Sequence, residues 1–111
     1  MKDTIKESDW KHLSRIQPAA LERLCGRIIE ELQALAADPK RSHHERYGAI
    51  YEWIRKRDKS IAAAFDALSR SSALPKLATM RGLDLLTEDE WMGFSAETRE
   101  SVELLIRIRR G

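Results

Sequence analysis

The fold is decided by residues 42–70, which read SHHERYGAIYEWIRKRDKSIAAAFDALSR. Ser42 and Glu45 have the spacing of a capping box, in which each side chain accepts a hydrogen bond from a free backbone N–H at a helix start. Apolar side chains then recur at helical spacing on one face, as Tyr47, Ile50, Tyr51, Ile54, Ile61, Ala64, Phe65 and Leu68. This pattern predicts one long amphipathic helix over 42–70, with the apolar face that includes Tyr47 and Tyr51 in the core.

A second amphipathic helix precedes it. Residues 18–37 carry a nearly unbroken apolar stripe, formed by Leu21, Leu24, Cys25, Ile28, Leu32, Leu35 and Ala36. Pro39 disfavours helical geometry at Asp38, so the segment between the two helices is predicted to be a short turn. Because so short a connection leaves consecutive helices side by side, we predict that 18–37 and 42–70 pack antiparallel at the centre of the domain.

Shorter helices are predicted on both sides of this pair. Before it, Ser8 caps a first short helix, and Pro18 in the first turn of the next helix implies a bend near Gln17. After it, three helices are expected: one over 73–82, one following the capping-box spacing Thr87 to Glu90, and one capped by Ser95. The predicted fold class is therefore all-α, a multi-helix bundle in which short C-terminal helices close over the long pair.

Length and composition narrow the class of protein. The 111 residues are predicted to form a single helical domain over 1–111. A loose N-terminal tail over residues 1–8 is the alternative that the sequence leaves open. With 20 Lys plus Arg against 18 Asp plus Glu, the formal charge is only +2. A net charge this small gives the chain little long-range electrostatic attraction to nucleic acid or to an anionic membrane.

The expected compartment is the cytoplasm. A single cysteine, Cys25, excludes an intramolecular disulfide and favours a reducing environment. Residues 1–11 lack the apolar centre of a secretory signal, and no stretch approaches the roughly 20 apolar residues of a membrane-spanning helix. We therefore predict a soluble protein with no membrane partner.

Sequence signatures of enzymes are missing. The chain has neither a glycine-rich phosphate loop nor a Gly-x-Ser-x-Gly elbow. His43 and His44 are adjacent, so on a helix they point about 100° apart and cannot chelate one metal as an i, i+4 pair would. We predict no catalytic residue, no cofactor and no metal site. An enzyme remains a third-ranked alternative, which would require a pocket around Asp58.

Arg57 and Asp58 interrupt the apolar stripe of helix 42–70. A charge at such a position must be paired, must reach water, or must mark the place where the helix leaves its core. Asp58 projects from near the centre of the stripe, so we expect it to be paired with a group on another helix, such as Arg27, His12 or Trp10. Arg57 and Asp58 are therefore the candidates for a structural charged pair, with a solvated gap between two core clusters as the alternative.

A second, smoother stripe predicts the function. It consists of Ala49, Trp53, Ser60, Ala63, Ala64 and Ala67, whose mostly small side chains permit close approach of another helix. We therefore predict a non-enzymatic protein–protein interaction module, an adaptor or regulatory subunit. We expect it to self-associate through Trp53, Ala63 and Ala67, with another protein as the alternative partner.

The alternative function is a nucleic-acid-binding accessory protein. Its candidate residues are Arg55, Lys56 and Lys59 on the long helix together with Arg107, Arg109 and Arg110 at the C-terminus. Around the helix, however, the basic run 55–59 does not make one continuous face, because Arg57 lies on the other edge of the apolar stripe. Residues 84–103 show the opposite bias, with seven acids against the single base Arg99. These acids suit helix N-termini, and the alternative is an acidic surface that meets a basic partner.

Overall fold

The structure, a computed structural model, describes residues 5–111 and has five α-helices in this range. These are α1 (Glu7–Ala36), α2 (His43–Phe65), α3 (Ala73–Gly82), α4 (Glu88–Met92) and α5 (Ala96–Arg110). No strand occurs in the described residues. The predicted all-α fold, with a long antiparallel pair followed by short helices, is confirmed.

Helix α1 corrects the sequence analysis, because it is one helix of 30 residues that runs through Pro18. The predicted break near Gln17 is wrong, and the residue that precedes the helix is Lys6 rather than Ser8. Proline removes one N–H, which leaves the carbonyl of Ser14 without its helical donor. Both Ser14 and Pro18 are exposed, so water can bond that carbonyl.

Packing on the other side of α1 holds the helix together across Pro18. Leu13, Ile16, Ala20 and Leu24 are all buried, two before the proline and two after it. Ile5 is buried as well, so ordered packing begins ahead of the helix. A loose N-terminal tail over residues 1–8 was left open above. The structure describes residues 5–8 of this segment, and residues 1–4 lie outside the described part of the chain.

Helix α2 begins as predicted and ends earlier than predicted. Ser42 Oγ accepts from the N–H of Glu45, and the Glu45 carboxylate accepts from the N–H of Ser42, which completes the capping box. The helix ends at Phe65 and not near residue 70. Beyond it Ala67 has a left-handed φ of 54°, and its carbonyl accepts from Ser72 Oγ at 3.0 Å. Serine hydroxyls that bond nearby backbone in this way compete with continuation of a helix.

Three contacts at different heights show that α2 runs back along α1. Near the turn, Arg46 donates to the carbonyl of Ala36 at 2.9 Å. Further along, Trp53 Nε1 donates to Glu31 Oε1 at 2.8 Å. After α2 ends, Arg70 pairs with the carboxylate of Glu7. The predicted antiparallel arrangement of the long pair is therefore present over its whole length.

The hydrophobic core lies at one end of this pair. Its fully buried large side chains are Leu13, Leu24, Leu77, Met80, Leu85 and Val102, from α1, α3, the α3–α4 loop and α5. From α2 only Ala64 and Phe65 are buried. The molecule is elongated, with principal extents of 54, 27 and 22 Å. Residues 29–60 therefore project from the core as a two-helix arm, which we call the distal hairpin.

Polar side chains of α1 attach the C-terminal helices. The carboxylate of Asp9, 2% exposed, accepts from Ser95 N at 2.8 Å, from Ser95 Oγ at 2.7 Å and from Thr98 Oγ1 at 2.7 Å. Arg23 donates to both carboxylate oxygens of Glu90 and holds the pKa of that carboxyl below its ordinary value. These contacts fix the starts of α4 and α5 against α1.

The α4–α5 connection also packs on α1. His12 Nε2 lies 2.7 Å from the carbonyl oxygen of Glu90, and its ring meets that of Phe94 edge-on with centroids 4.6 Å apart. Gly93 sits against this imidazole, so a Cβ at position 93 would overlap His12 Nε2. The absence of a side chain at Gly93 is what lets the loop approach α1.

Replacing Gly93 by alanine is expected to lower the free energy of unfolding by about 1–3 kcal/mol, because the added methyl displaces His12 from Glu90. Urea denaturation measures the change. The same substitution should cost less in a His12→Ala background, where the overlap is gone. Gly26→Ala is the control, since a Cβ there meets open space on an exposed helix position and should be neutral or stabilising. An equal cost in both backgrounds would contradict this account.

Candidate functional site

Trp53 anchors the distal hairpin. It is half-buried, and besides its indole bond the same Glu31 oxygen lies 3.1 Å from Arg57 Nε. The Arg57 atom is placed for charge attraction but does not meet the angular requirement for a hydrogen bond. Arg57, predicted as one half of a structural charged pair, thus has Glu31 of α1 as its partner.

Asp58 is exposed, so the prediction that it is paired inside the core is wrong. Among the proposed partners, Arg27 binds the carbonyls of Leu83 and Asp84, and His12 binds that of Glu90. The apolar stripe of α2 enters the core only after Asp58, at Ile61 and Phe65. Asp58 therefore marks the point where the helix leaves its core, and its carboxylate needs no protein partner because it reaches water.

The three predicted interaction residues do not form one face. Trp53 is half-buried against α1, and Ala63 is exposed on α2. Ala67 lies past the end of α2 with a left-handed backbone, so it no longer follows the helical spacing. The predicted Trp53–Ala67 surface is therefore not continuous, because serine side chains end the helix before it is complete.

The exposed apolar face of the hairpin lies elsewhere on α2. Tyr47 is 70% exposed, Tyr51 55% and Ile54 41%. Their spacing of four and then three residues places them on one side of the helix. Sequence analysis assigned them to the core, which is wrong because the short C-terminal helices pack only at the other end of α2. We call these three residues the tyrosine face.

A groove lies on another side of the distal hairpin. Its volume is about 660 Å³, and its lining consists of Leu35, Arg41, Ala49, Glu52, Trp53, Arg55, Lys56 and Lys59. Lys56 Nζ lies 5.2 Å from the centroid of the Trp53 ring, a cation–π distance. Four basic side chains against one acid make this groove positive over an apolar floor. We call it the Trp53 groove.

Comparisons with known proteins add no identification. Scans of protein-family models, of curated proteins and of solved structures found no match to this chain.

The C-terminal arginines and the two adjacent histidines singled out from the sequence lie elsewhere on the molecule. The side chain of Arg109 donates to Thr79 Oγ1 and to the carbonyl of Pro75, so it packs on α3, away from the Trp53 groove. Arg107 and Arg110 are exposed nearby on α5. His43 and His44 are exposed at the start of α2. Within residues 5–111, no group of three or more His, Cys, Asp or Glu is placed to hold a metal ion.

No described helix combines the length and the apolar character that crossing a bilayer requires. The distal hairpin has two surface features, the tyrosine face and the Trp53 groove. Neither could be located from residue spacing alone, because each depends on where the C-terminal helices stop covering the long pair.

Proposed function

We propose that this protein is a non-enzymatic helical interaction module, an adaptor or regulatory subunit, whose distal hairpin binds a protein partner. The observation that carries this proposal is the tyrosine face, in which Tyr47, Tyr51 and Ile54 are exposed on a projecting helix. Large apolar side chains grouped on one face mark protein–protein contact sites, and tyrosine is enriched in such sites.

The hairpin is built to present this face without reorganising. The capping box at Ser42 and Glu45 fixes the start of α2. The contacts of Glu31 with Trp53 and Arg57 hold α2 against α1. A surface that is already ordered loses less conformational entropy on binding, which favours affinity.

Site-specific photocrosslinking in living cells tests the proposal. A photoreactive amino acid at position 47 or 51 is expected to give the same defined product, identified by mass spectrometry. The same amino acid at Gln33, an exposed polar position on α1, should not give it. With the purified partner, Tyr51→Ser should weaken binding about tenfold or more, and Gln33→Ser should leave it unchanged. Equal crosslinking at all three positions would contradict the proposal.

A nucleic-acid-binding accessory role is the second candidate. The four basic side chains of the Trp53 groove favour it, because phosphate binding requires several cations on one surface. The terminal arginines of the original hypothesis do not extend this surface, since Arg109 is held on α3. Binding that collapses between low and moderate salt and disappears in Lys56→Glu/Lys59→Glu would support this role.

We propose the cytoplasm as the compartment, because the single cysteine, Cys25, favours a reducing environment. Fractionation of cells that express the tagged chain measures it directly.

A further inference from the structure

We propose that the Trp53 groove docks the acidic α4–α5 surface of a second copy of this chain, giving an antiparallel, twofold-symmetric dimer. The inference rests on the proposed function and names one partner for the interaction module.

The groove supplies positive charge that is not fully compensated within the described chain. Arg41 pairs with Asp38 at 3.4 Å, and Arg55 pairs with Glu52 at 3.3 Å. Lys56 and Lys59 have no carboxylate within salt-bridge distance among residues 5–111. Two lysines beside an apolar floor therefore favour an acidic surface that also carries apolar side chains.

The α4–α5 surface has that composition. Its exposed acids are Glu88, Asp89, Glu97, Glu100 and Glu103. The base within this segment, Arg99, is half-buried, and its Nη1 lies 3.0 Å from Met92 Sδ. Two large apolar side chains stand exposed among the acids, Met92 at 55% and Leu104 at 50%.

Helix α5 places an acid and an apolar side chain together. Glu100 and Leu104 are four residues apart, so they lie on the same side of the helix, and Glu103 is adjacent to that side. Glu97 is engaged by Lys6 at 2.9 Å, whereas Glu100 and Glu103 have no basic partner within salt-bridge distance in the described chain. Two unpaired acids on α5 thus match the two unpaired lysines of the groove.

The positions of the two surfaces suit a closed pair. The groove lies toward the α1–α2 turn, and the start of α5 is bonded to Asp9 at the opposite end of α1. When two elongated copies lie side by side in opposite directions, the groove end of each copy lies beside the α5 end of the other. Twofold symmetry then forms the same charged contact twice and leaves neither surface free.

A nucleic acid fits the groove less well. Glu52 lines it, and Glu31 and Asp38 line the adjoining depression around Trp53, so a phosphate chain would pass three carboxylates. Discrete acids on a helix can be matched to individual lysines and avoid these carboxylates, which a continuous phosphate backbone cannot.

Charge reversal on the two surfaces provides the test. The wild-type chain is expected to sediment as a dimer at low salt and to dissociate as salt rises. Lys56→Glu/Lys59→Glu and Glu100→Lys/Glu103→Lys should each weaken dimerisation about tenfold or more. An equimolar mixture of the two variants should recover the dimer, because each reversed groove then faces a reversed α5. Glu22→Lys/Glu30→Lys, on exposed positions of α1, is the matched control and should leave the dimer unchanged.

The inference is overturned if the wild-type chain stays monomeric at submillimolar concentration in low salt, or if the mixed variants fail to recover a dimer that each lost. Nucleic acid bound by the groove in place of a second copy would also overturn it. Crosslinks from position 47 or 51 to a different protein, without any homodimer, would refute this inference and leave the proposed function standing. If the chain forms no homodimer and positions 47 and 51 give no defined crosslink, both this inference and the proposed function are refuted.

Discussion

Replacing Asp9 by alanine is expected to lower the free energy of unfolding by about 3–5 kcal/mol. The carboxylate is 2% exposed and accepts from the backbone and hydroxyl of Ser95 and from the hydroxyl of Thr98. Alanine would leave these three donors without their acceptor in a region largely closed to water. Each lost bond to a charged acceptor contributes about 1.5–3 kcal/mol, and partial access of water reduces the sum.

Urea denaturation measures this effect, and Glu7→Ala is its matched control. Glu7 is also an acid in the first turn of α1, but it is exposed and pairs with Arg70 at the surface. Its replacement tests the contribution of charge near the helix N-terminus and should cost at most about 1 kcal/mol. Equal losses for the two variants would show that burial and hydrogen bonding of Asp9 are not the cause.

The pH dependence of the Asp9→Ala effect checks the same cause. Burial disfavours the charged form of Asp9, but hydrogen bonds from Ser95 and Thr98 outweigh it and hold the pKa of this carboxyl below its ordinary value. A lowered pKa in the folded state stabilises the fold at pH above the unfolded value of about 4. This stabilisation is lost as the pH falls through the folded pKa. The gap between wild type and Asp9→Ala should therefore narrow below about pH 4.

Replacing Pro18 by alanine is expected to raise the free energy of unfolding by roughly 2 kcal/mol. Pro18 lies inside the 30 residues of α1, where it removes a backbone donor and crowds the preceding turn. Alanine restores the bond to the carbonyl of Ser14 without disturbing packing, because position 18 is exposed. The more flexible unfolded chain offsets about 0.4–1 kcal/mol of the gain.

The control for this prediction is Pro39→Ala. Pro39 is exposed in the turn between α1 and α2, and the next residue, Lys40, donates its N–H to Asp38 Oδ1 at 3.0 Å. No helical bond is restored there, so the loss of rigidity in the unfolded chain should leave that variant neutral or slightly destabilised. Urea denaturation should show a stabilised Pro18→Ala variant and a Pro39→Ala variant that is not stabilised. A destabilised Pro18→Ala variant would mean that the proline sets a geometry the core requires.

Local sequence signals predicted the elements of the fold with good accuracy where the decisive atoms are near in sequence. The capping boxes at Ser42 and Thr87 and the serine cap at Ser95 all form as expected. Pro18 was misread because its cost is local, whereas the burial that outweighs it comes from residues distant in sequence that share one core with α1. The end of α2 was misread because apolar spacing continues to Leu68 although serine bonds turn the chain.

The candidate site was predicted only in part. Trp53, Lys56 and Lys59 were singled out and do line one groove. Tyr47 and Tyr51 were assigned to the core because helical spacing identifies a face but not what covers it. The signal that could have located them is Asp58, a charge within the stripe that marks where coverage ends.

The sequence by itself determined the all-α class, the antiparallel long pair and the starts of three helices, because helical periodicity and caps act over four residues or fewer. Only the tertiary structure decided that α1 continues through Pro18, that Asp9 holds α5, and that the tyrosine face stays in water. Those outcomes depend on groups far apart in the chain, such as Asp9 and Thr98. Whether a helical stripe becomes core or surface is decided by the helices that fold back to cover it.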